Sequence, residues 1–419
     1  MRADTLFRLY SQTKPVTVVG AFQLLERGVI HLEDPVSKYI PSFAKVDVEM
    51  PDGGSRQAPA RSLTVRDLLA HTSGVGFGPG FHYEPENDYE QTYVDVVGKV
   101  DRGEIRSLAD WCDAIAALPL RFHPGADWGY GYSSDLLGRV VEVASGQPLD
   151  EYLARRVLEP LGMDDTFFAV PTGKAARLSA LYKREPWDGA GRHVKFVTVD
   201  PGGSGLTSCE ARRVLDVAPD GQGGRAPSSS VFLRGRASCV IQGGGCVCSV
   251  AGGLVSCMRD YARFGVMLLS GGELDGVRVL TPESVRIISR DWLNDFTSEK
   301  RPEPLWVWGT PGIGFSPLGQ VGVEAPEADR RIVGSQLHTV HWGGAGGSGY
   351  MLNWPHRLLV LTYTGCAYDT ATQKAMWRAA AGALRRGRAK PIAAAVGKDV
   401  AAWGRAAEDR HDTAAPSKR

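Results

Sequence analysis

Residues 4–43 read DTLFRLYSQTKPVTVVGAFQLLERGVIHLEDPVSKYIPSF, and the reading of this stretch decides the fold. Val18, Ala21, Phe22 and Leu25 recur at helical spacing, so residues 5–27 read as a loop running into a helix that Gly28 stops. Asp34-Pro35 and Ile40-Pro41 mark turns beyond it. At the start of the helix stands Ser11-Gln12-Thr13-Lys14, an S-x-x-K. Residues three apart share a helical face one turn apart, so Lys14 can reach the Ser11 hydroxyl. A serine hydroxyl needs an adjacent base to become a nucleophile. Lysine serves when burial favours its neutral form. A helix N-terminus also favours developing negative charge. Taken alone, S-x-x-K is a weak signal, and the same four residues read better as an N-cap serine followed by a solvated lysine.

The bulk composition narrows the field. The chain has 419 residues, 43% hydrophobic and 23% charged, which suits one large globular domain or two intimate ones. A formal net charge of +1 gives no footprint for nucleic acid or an anionic membrane. No apolar run reaches the roughly eighteen residues of a membrane span. Residues 1–10 lack the apolar centre of a signal peptide, so a cytoplasmic location is the expectation. Seven cysteines include the pair Cys246 and Cys248, with Cys239 and Cys257 nearby. No histidine joins them and no C-x-x-C occurs, so reduced thiols are expected over a zinc site. No H-E-x-x-H occurs, and no metal or cofactor is expected.

Periodicity predicts helices over residues 63–69, 108–118, 135–145, 149–158 and 258–269, with a further one starting at 284–289. Ser133 or Ser134 is the expected N-cap of the third. LLVLTY at 358–363 reads as a strand, and 371–384 as a closing helix. Residues 201–253 are Gly-, Ser- and Cys-rich and read as a long loop or insertion in a domain covering 1–384. Residues 385–419 form a charged, Ala-rich tail. Helices gathered between an early and a late β region predict an α+β fold in place of a repeating βα barrel.

Four stretches in order resemble the serine β-lactamase-related family, which includes penicillin-binding proteins and class C β-lactamases. They are residues 4–43, LTVRDLLAHTSGV at 63–75, LEPLGMDDTFF at 158–168, and GGLVSCMRDYARFGVMLLSGGELDGVRVL at 252–280. The resemblance implies the β-lactamase/transpeptidase-like fold, an α/β sandwich of an antiparallel sheet flanked by helices plus an all-helical region. It also implies that Ser11 is the nucleophile and Lys14 its partner. The esterase branch carries Trp-x-Tyr followed by Asp-x-Leu-Gly. Trp128-Gly129-Tyr130 before Asp135-Leu136-Leu137-Gly138 is similar, which selects Tyr130 over Tyr132 as the proton-relaying phenol and leaves Tyr132 beside the substrate. His341-Trp342-Gly343-Gly344-Ala345 resembles the branch's W-G-G, with Trp342 where lactamases carry a lysine for the substrate carboxylate. That exchange implies neutral small-molecule esters. Gly343 and Gly344 would let substrate lie along the strand, and the N–H groups of Ser11 and Ala345 would form an oxyanion hole. His341 reads as a local structural residue.

No G-x-S-x-G occurs, so an α/β-hydrolase elbow is not supported. Only ten residues precede Ser11, where the family carries an initial helix and the first strands, so those strands are expected to be missing from the sheet. The function expected is a serine carboxylesterase. The alternatives are an acyltransferase or β-lactamase of the same fold, a non-catalytic relic, and a cysteine-bound metal module.

Overall fold

In a computed structural model, residues 1–50, 54–77, 88–186, 194–200, 253–293, 312–323 and 339–366 are described, with Val307 and isolated positions between 375 and 379. The expected insertion at 201–252, the expected closing helix over 371–384, apart from those isolated positions, and the tail from 385 lie outside these residues, as do Cys239, Cys246 and Cys248.

Strand β1 (Leu6–Arg8) leads through a single 3-10 turn (Tyr10–Gln12) into helix α1 (Thr13–Glu26). Two short strands, β2 (Val48–Glu49) and β3 (Arg56–Gln57), precede α2 (Val65–Ala70). The helical region continues with α3 (Asp88–Asp101), α4 (Leu108–Ala116), α5 (Ser133–Ser145) and α6 (Leu149–Leu153). Next come β4 (Leu181–Pro186), β5 (Val194–Asp200), β6 (Val255–Cys257), α7 (Met258–Leu269), β7 (Glu273–Leu274), β8 (Val277–Arg278) and α8 (Pro282–Ile288). The chain then builds a sheet from β9 (Ile313–Ser316), β10 (Gly319–Gly322), β11 (Thr339–Gly344), β12 (Ser348–Asn353) and β13 (Leu358–Tyr363).

That sheet is antiparallel throughout, in the order β13-β12-β11-β10-β9. Helix α7 packs on β12 and β13, and the Trp354 indole N–H reaches the last turn of α7 through the Leu268 carbonyl at 3.3 Å. On the other side of the molecule α1 is buried on nearly every face, from Thr13 through Phe22, against α5 and α6. A helix enclosed in this way has no polar face to present, which explains the run PVTVVGAF. Strand β1 stays outside the sheet and pairs with β6 instead, Phe7 opposite Ser256. The outer edge of β13 carries no strand among the described residues.

The helix starts differ from the sequence reading by about two residues at α2 and α8, and at α5 the capping residue differs as well. Tyr132, not Ser133 or Ser134, is the N-cap of α5. Both serines are inside the helix and spend their hydroxyls on the 71–76 segment: Ser133 Oγ shares a hydrogen with Ser73 Oγ at 2.7 Å, and Ser134 Oγ lies 3.4 Å from His71 Nε2. The helix expected over 149–158 is α6 followed by one π-helical turn (Ala154–Leu158).

Cys257, read with the other cysteines as a candidate ligand, lies in β6 beside Asp165 and Asp260, their ligand atoms all within 4.8 Å of one another. The carboxylates there already have partners. Asp165 takes Lys174, Arg177 and Arg259 at 2.8, 2.6 and 2.9 Å. Asp260 accepts the Asp165 N–H at 2.7 Å and the Thr166 hydroxyl at 3.0 Å. Burial pushes the Cys257 thiol up to about 12, so it stays protonated. This cluster is an ion-pair network that fastens the 158–168 stretch to α7.

Candidate active site

The turn that carries Ser11 is set by a residue in an unusual conformation. Tyr10 adopts φ +49°, the left-handed region that costs an L side chain energy and is retained only where the surroundings impose it. Those surroundings are visible. The Leu9 N–H donates to the Leu254 carbonyl at 2.9 Å, and the Leu9 carbonyl accepts the Ser348 hydroxyl at 2.9 Å. The Leu254 N–H donates to Thr13 Oγ1 at 3.1 Å, and the buried Tyr261 phenol donates to the Gln12 carbonyl at 2.9 Å. Strands β11 and β12 and helix α7 therefore grip the turn from one side while α1 leaves it on the other.

Three side chains meet there. The Lys14 side-chain nitrogen donates to Ser11 Oγ at 3.3 Å, the i,i+3 contact that the S-x-x-K spacing predicts. Ser11 Oγ and the Tyr130 hydroxyl lie 2.8 Å apart, and either oxygen can be the donor. Lys14 Nζ also stands 4.9 Å from the centre of the Tyr130 ring. Lys14 is 9% exposed and Tyr130 8%, so proton exchange among the three would proceed in a site largely shielded from water.

Tyr130 comes from the loop between α4 and α5, and the 71–76 segment templates that loop through its backbone. The carbonyls of His71, Thr72, Gly74 and Gly76 accept the N–H groups of Gly129, Gly125, Arg121 and Tyr132 at 2.7 to 3.1 Å. The two segments run so close that a Cβ on Gly131 would meet the Val75 carbonyl oxygen at 2.0 Å. Tyr132 is not brought to the site. Its ring is packed among Phe77, Trp111 and Tyr93, with centroids 5.0 to 5.7 Å away, as part of the core behind the loop.

Trp342 faces Tyr130 from β11, ring centroids 5.5 Å apart, and stands edge-on to Phe315 at 5.7 Å. It lines a small recess together with Lys14, His71, Ser134, Phe315 and Leu318. Its indole N–H has no hydrogen-bond partner among the described residues. A Cβ on Gly344 would stand 2.0 Å from the Leu9 carbonyl oxygen and 2.5 Å from Ser348 Oγ, so the missing side chain makes room for the turn that carries Ser11. Gly343 pairs with Gly349 on β12, and Ala345 follows directly in the tight turn closed by the Gly347 N–H on the Gly344 carbonyl. This turn abuts the Ser11 turn: a Cβ on Gly346 would touch the Tyr10 ring at 2.7 Å. His341 is buried in β11 opposite Gln320 and Met351.

Sequence reasoning passed over His71. Its ring stacks on Tyr130 at 5.2 Å with an interplanar angle of 18°, and meets Phe315 edge-on at 5.2 Å. Burial, with the nearby Lys14 charge adding to it, lowers its pKa from 6.5 to about 3, so the ring is neutral. The only hint in the sequence is the HTSG run, whose turn-like composition hides the histidine's role.

Comparison with known proteins agrees with this fold. The chain matches the beta-lactamase family over residues 1–385. It is 33% identical over 371 residues to an uncharacterized protein of Mycobacterium tuberculosis, covering 87% of this chain and 78% of that one. It is 37% identical over 174 residues to Esterase EstB of Burkholderia gladioli, which spans 40% of each chain. Among solved structures it resembles EstCE1, a hydrolase with promiscuous acyltransferase activity, at a TM-score of 0.60 and 22% identity, covering 88% of this chain and 82% of that one. With the five-stranded antiparallel sheet, the helical region and an S-x-x-K at their junction, the chain belongs to the beta-lactamase family.

Proposed function

We propose that the protein is a serine carboxylesterase that works through an acyl-enzyme on Ser11. The observation that carries this reading is the Ser11–Lys14–Tyr130 contact, with oxygens 2.8 Å apart and the lysine nitrogen 3.3 Å from the serine. Lys14 and Tyr130 take the Ser11 proton as Oγ attacks the ester carbonyl. The backbone N–H groups of Ser11 and Ala345 hold the oxyanion, a contribution of about 3 kcal/mol for each such donor. Collapse of the tetrahedral intermediate breaks the bond to the alcohol, whose oxygen receives the proton through Tyr130. Water then enters, gives up a proton by the same route, and releases the acid and free Ser11. Trp342 contributes an uncharged aromatic wall, which suits neutral esters better than substrates with a carboxylate. Names among the relatives, Esterase EstB foremost, support the same substrate class.

Hydrolysis of a short p-nitrophenyl ester by the full chain tests this. Wild type turns over and Ser11→Ala does not, and a fluorophosphonate adds one adduct to wild type only. Equal rates in the two proteins would remove Ser11 from the mechanism. A second reading, transfer of the acyl group to an alcohol instead of water, is supported by the EstCE1 resemblance. It predicts a new ester when an alcohol acceptor is added. Nitrocefin is expected to be a poor substrate. A non-catalytic relic would take no fluorophosphonate at all.

A further inference from the structure

We infer that His71 is the positioning residue of this site, holding the Tyr130 phenol against Ser11 by ring stacking from one side and by its own backbone from the other. The inference rests on the acyl-enzyme reading of Ser11. Tyr130 reaches the nucleophile from a loop, and loop side chains keep a catalytic geometry only when packing locks them. His71 supplies two locks at once. Its carbonyl accepts the Gly129 N–H at 2.9 Å, fixing the backbone just before Tyr130. Its ring lies nearly parallel to the phenol ring, fixing the side chain.

His71 is itself held by its backbone, its ring edge and Nε2. It caps α2 at φ +56°, a conformation that histidine and asparagine tolerate better than most residues, with its N–H on the Asp67 carbonyl. Phe315 on β9 closes the ring edge and Ser134 on α5 engages Nε2. The charged or titratable groups facing the ring among the described residues are Lys14 from α1 and Tyr130 from the loop. Ser134, Phe315 and, across the recess, Trp342 carry no charge. Nδ1 is buried with no partner among the described residues, so no carboxylate waits to stabilise an imidazolium. A neutral ring beside Lys14 is a platform for the phenol and takes no proton in the reaction.

The test compares full-length wild type, His71→Asn, His71→Phe and Ser134→Ala in p-nitrophenyl ester hydrolysis, with kcat, KM, the pH profile and Tm recorded for each. Asparagine tolerates the left-handed backbone but removes the ring, so kcat is expected to fall about 100-fold with KM little changed. The pH profile of kcat/KM should shift with it, a readout that loss of stability alone does not move. Phenylalanine restores a ring and brings kcat back to within about three-fold of wild type, at a cost in Tm. Ser134→Ala frees one ring nitrogen and gives a fall of about five-fold. If His71→Asn does not fold, Ser134→Ala and His71→Phe carry the decision. A folded His71→Asn with wild-type kcat and pH profile overturns the inference, as does a His71→Phe as slow as His71→Asn. Failure of the acyl-enzyme reading is separately visible: wild type itself would then take no fluorophosphonate.

Discussion

At the scale of single residues the two tyrosines of the 128–132 stretch are the sharpest contrast. Tyr130 meets Ser11, and the Tyr132 ring packs in the core. Tyr130→Phe is therefore expected to lower kcat/KM for an ester by about 100- to 1,000-fold, the range for a lost proton relay. Tyr132→Phe should leave kcat unchanged and lower Tm. Steady-state kinetics and thermal melts on the two variants separate the roles. The Ser11–Lys14 pair was legible in the sequence because its geometry is local: three residues on one helical turn fix it. Tyr130 was legible only through the resemblance of Trp128-Gly129-Tyr130 and Asp135-Leu136-Leu137-Gly138 to the esterase branch's motif. His71 was not, because its partner is a ring from a distant loop. No periodicity reports a stack that only tertiary packing creates, and the composition of HTSG reads as a turn whether or not its histidine serves a site.

At the scale of elements the decisive contact is between β11 and the nucleophile turn. Gly344→Ala would drive a methyl into the Leu9 carbonyl and Ser348 hydroxyl. The strand or the turn must yield, at a cost of about 1–3 kcal/mol, and Ser11 moves with the turn. The expected outcome is a lower Tm together with a loss of kcat out of proportion to the fraction unfolded. The helices were readable because their apolar residues recur every third or fourth position, as in α5 and α7. Strands β9 and β10 escaped, since IGFS and GQVG flank Pro317-Leu318 and look like loop. What makes them strands is lateral pairing, β9 with β10 and β10 with β11, together with burial, neither of which is written in four residues.

At the scale of the whole molecule, two groups set the response to acid. His71 has its folded pKa at about 3, below its ordinary 6.5, so the unfolded chain binds the proton more readily. Its contribution is present above pH 6.5 and is lost as pH falls toward 3, at up to about 1.4 kcal/mol per pH unit. Asp165 acts lower down. Burial opposes its ionisation, but hydrogen bonds from Arg177 and Lys174 outweigh this and bring its pKa from 3.8 to about 2. Its contribution is present above pH 3.8 and is lost as pH falls toward 2. Denaturant melts across pH should therefore show His71→Asn flattening the decline between pH 6.5 and 3, and Asp165→Asn flattening only the lowest part. The sheet order, the pairing of β1 with β6, and the closure of the Asp165 network on α7 were beyond the sequence reading, because each joins segments that local pattern treats separately.

The hydroxyl of Ser348 on the carbonyl of Leu9 joins residues 339 positions apart. That bond makes the active site a seam. The pocket around Ser11 forms only when the two far ends of the described chain have found each other, a closure that loop entropy makes slow. In refolding from denaturant, far-ultraviolet ellipticity should therefore return before turnover does. The proposed ester hydrolysis would then serve as a stopwatch for the last event of folding.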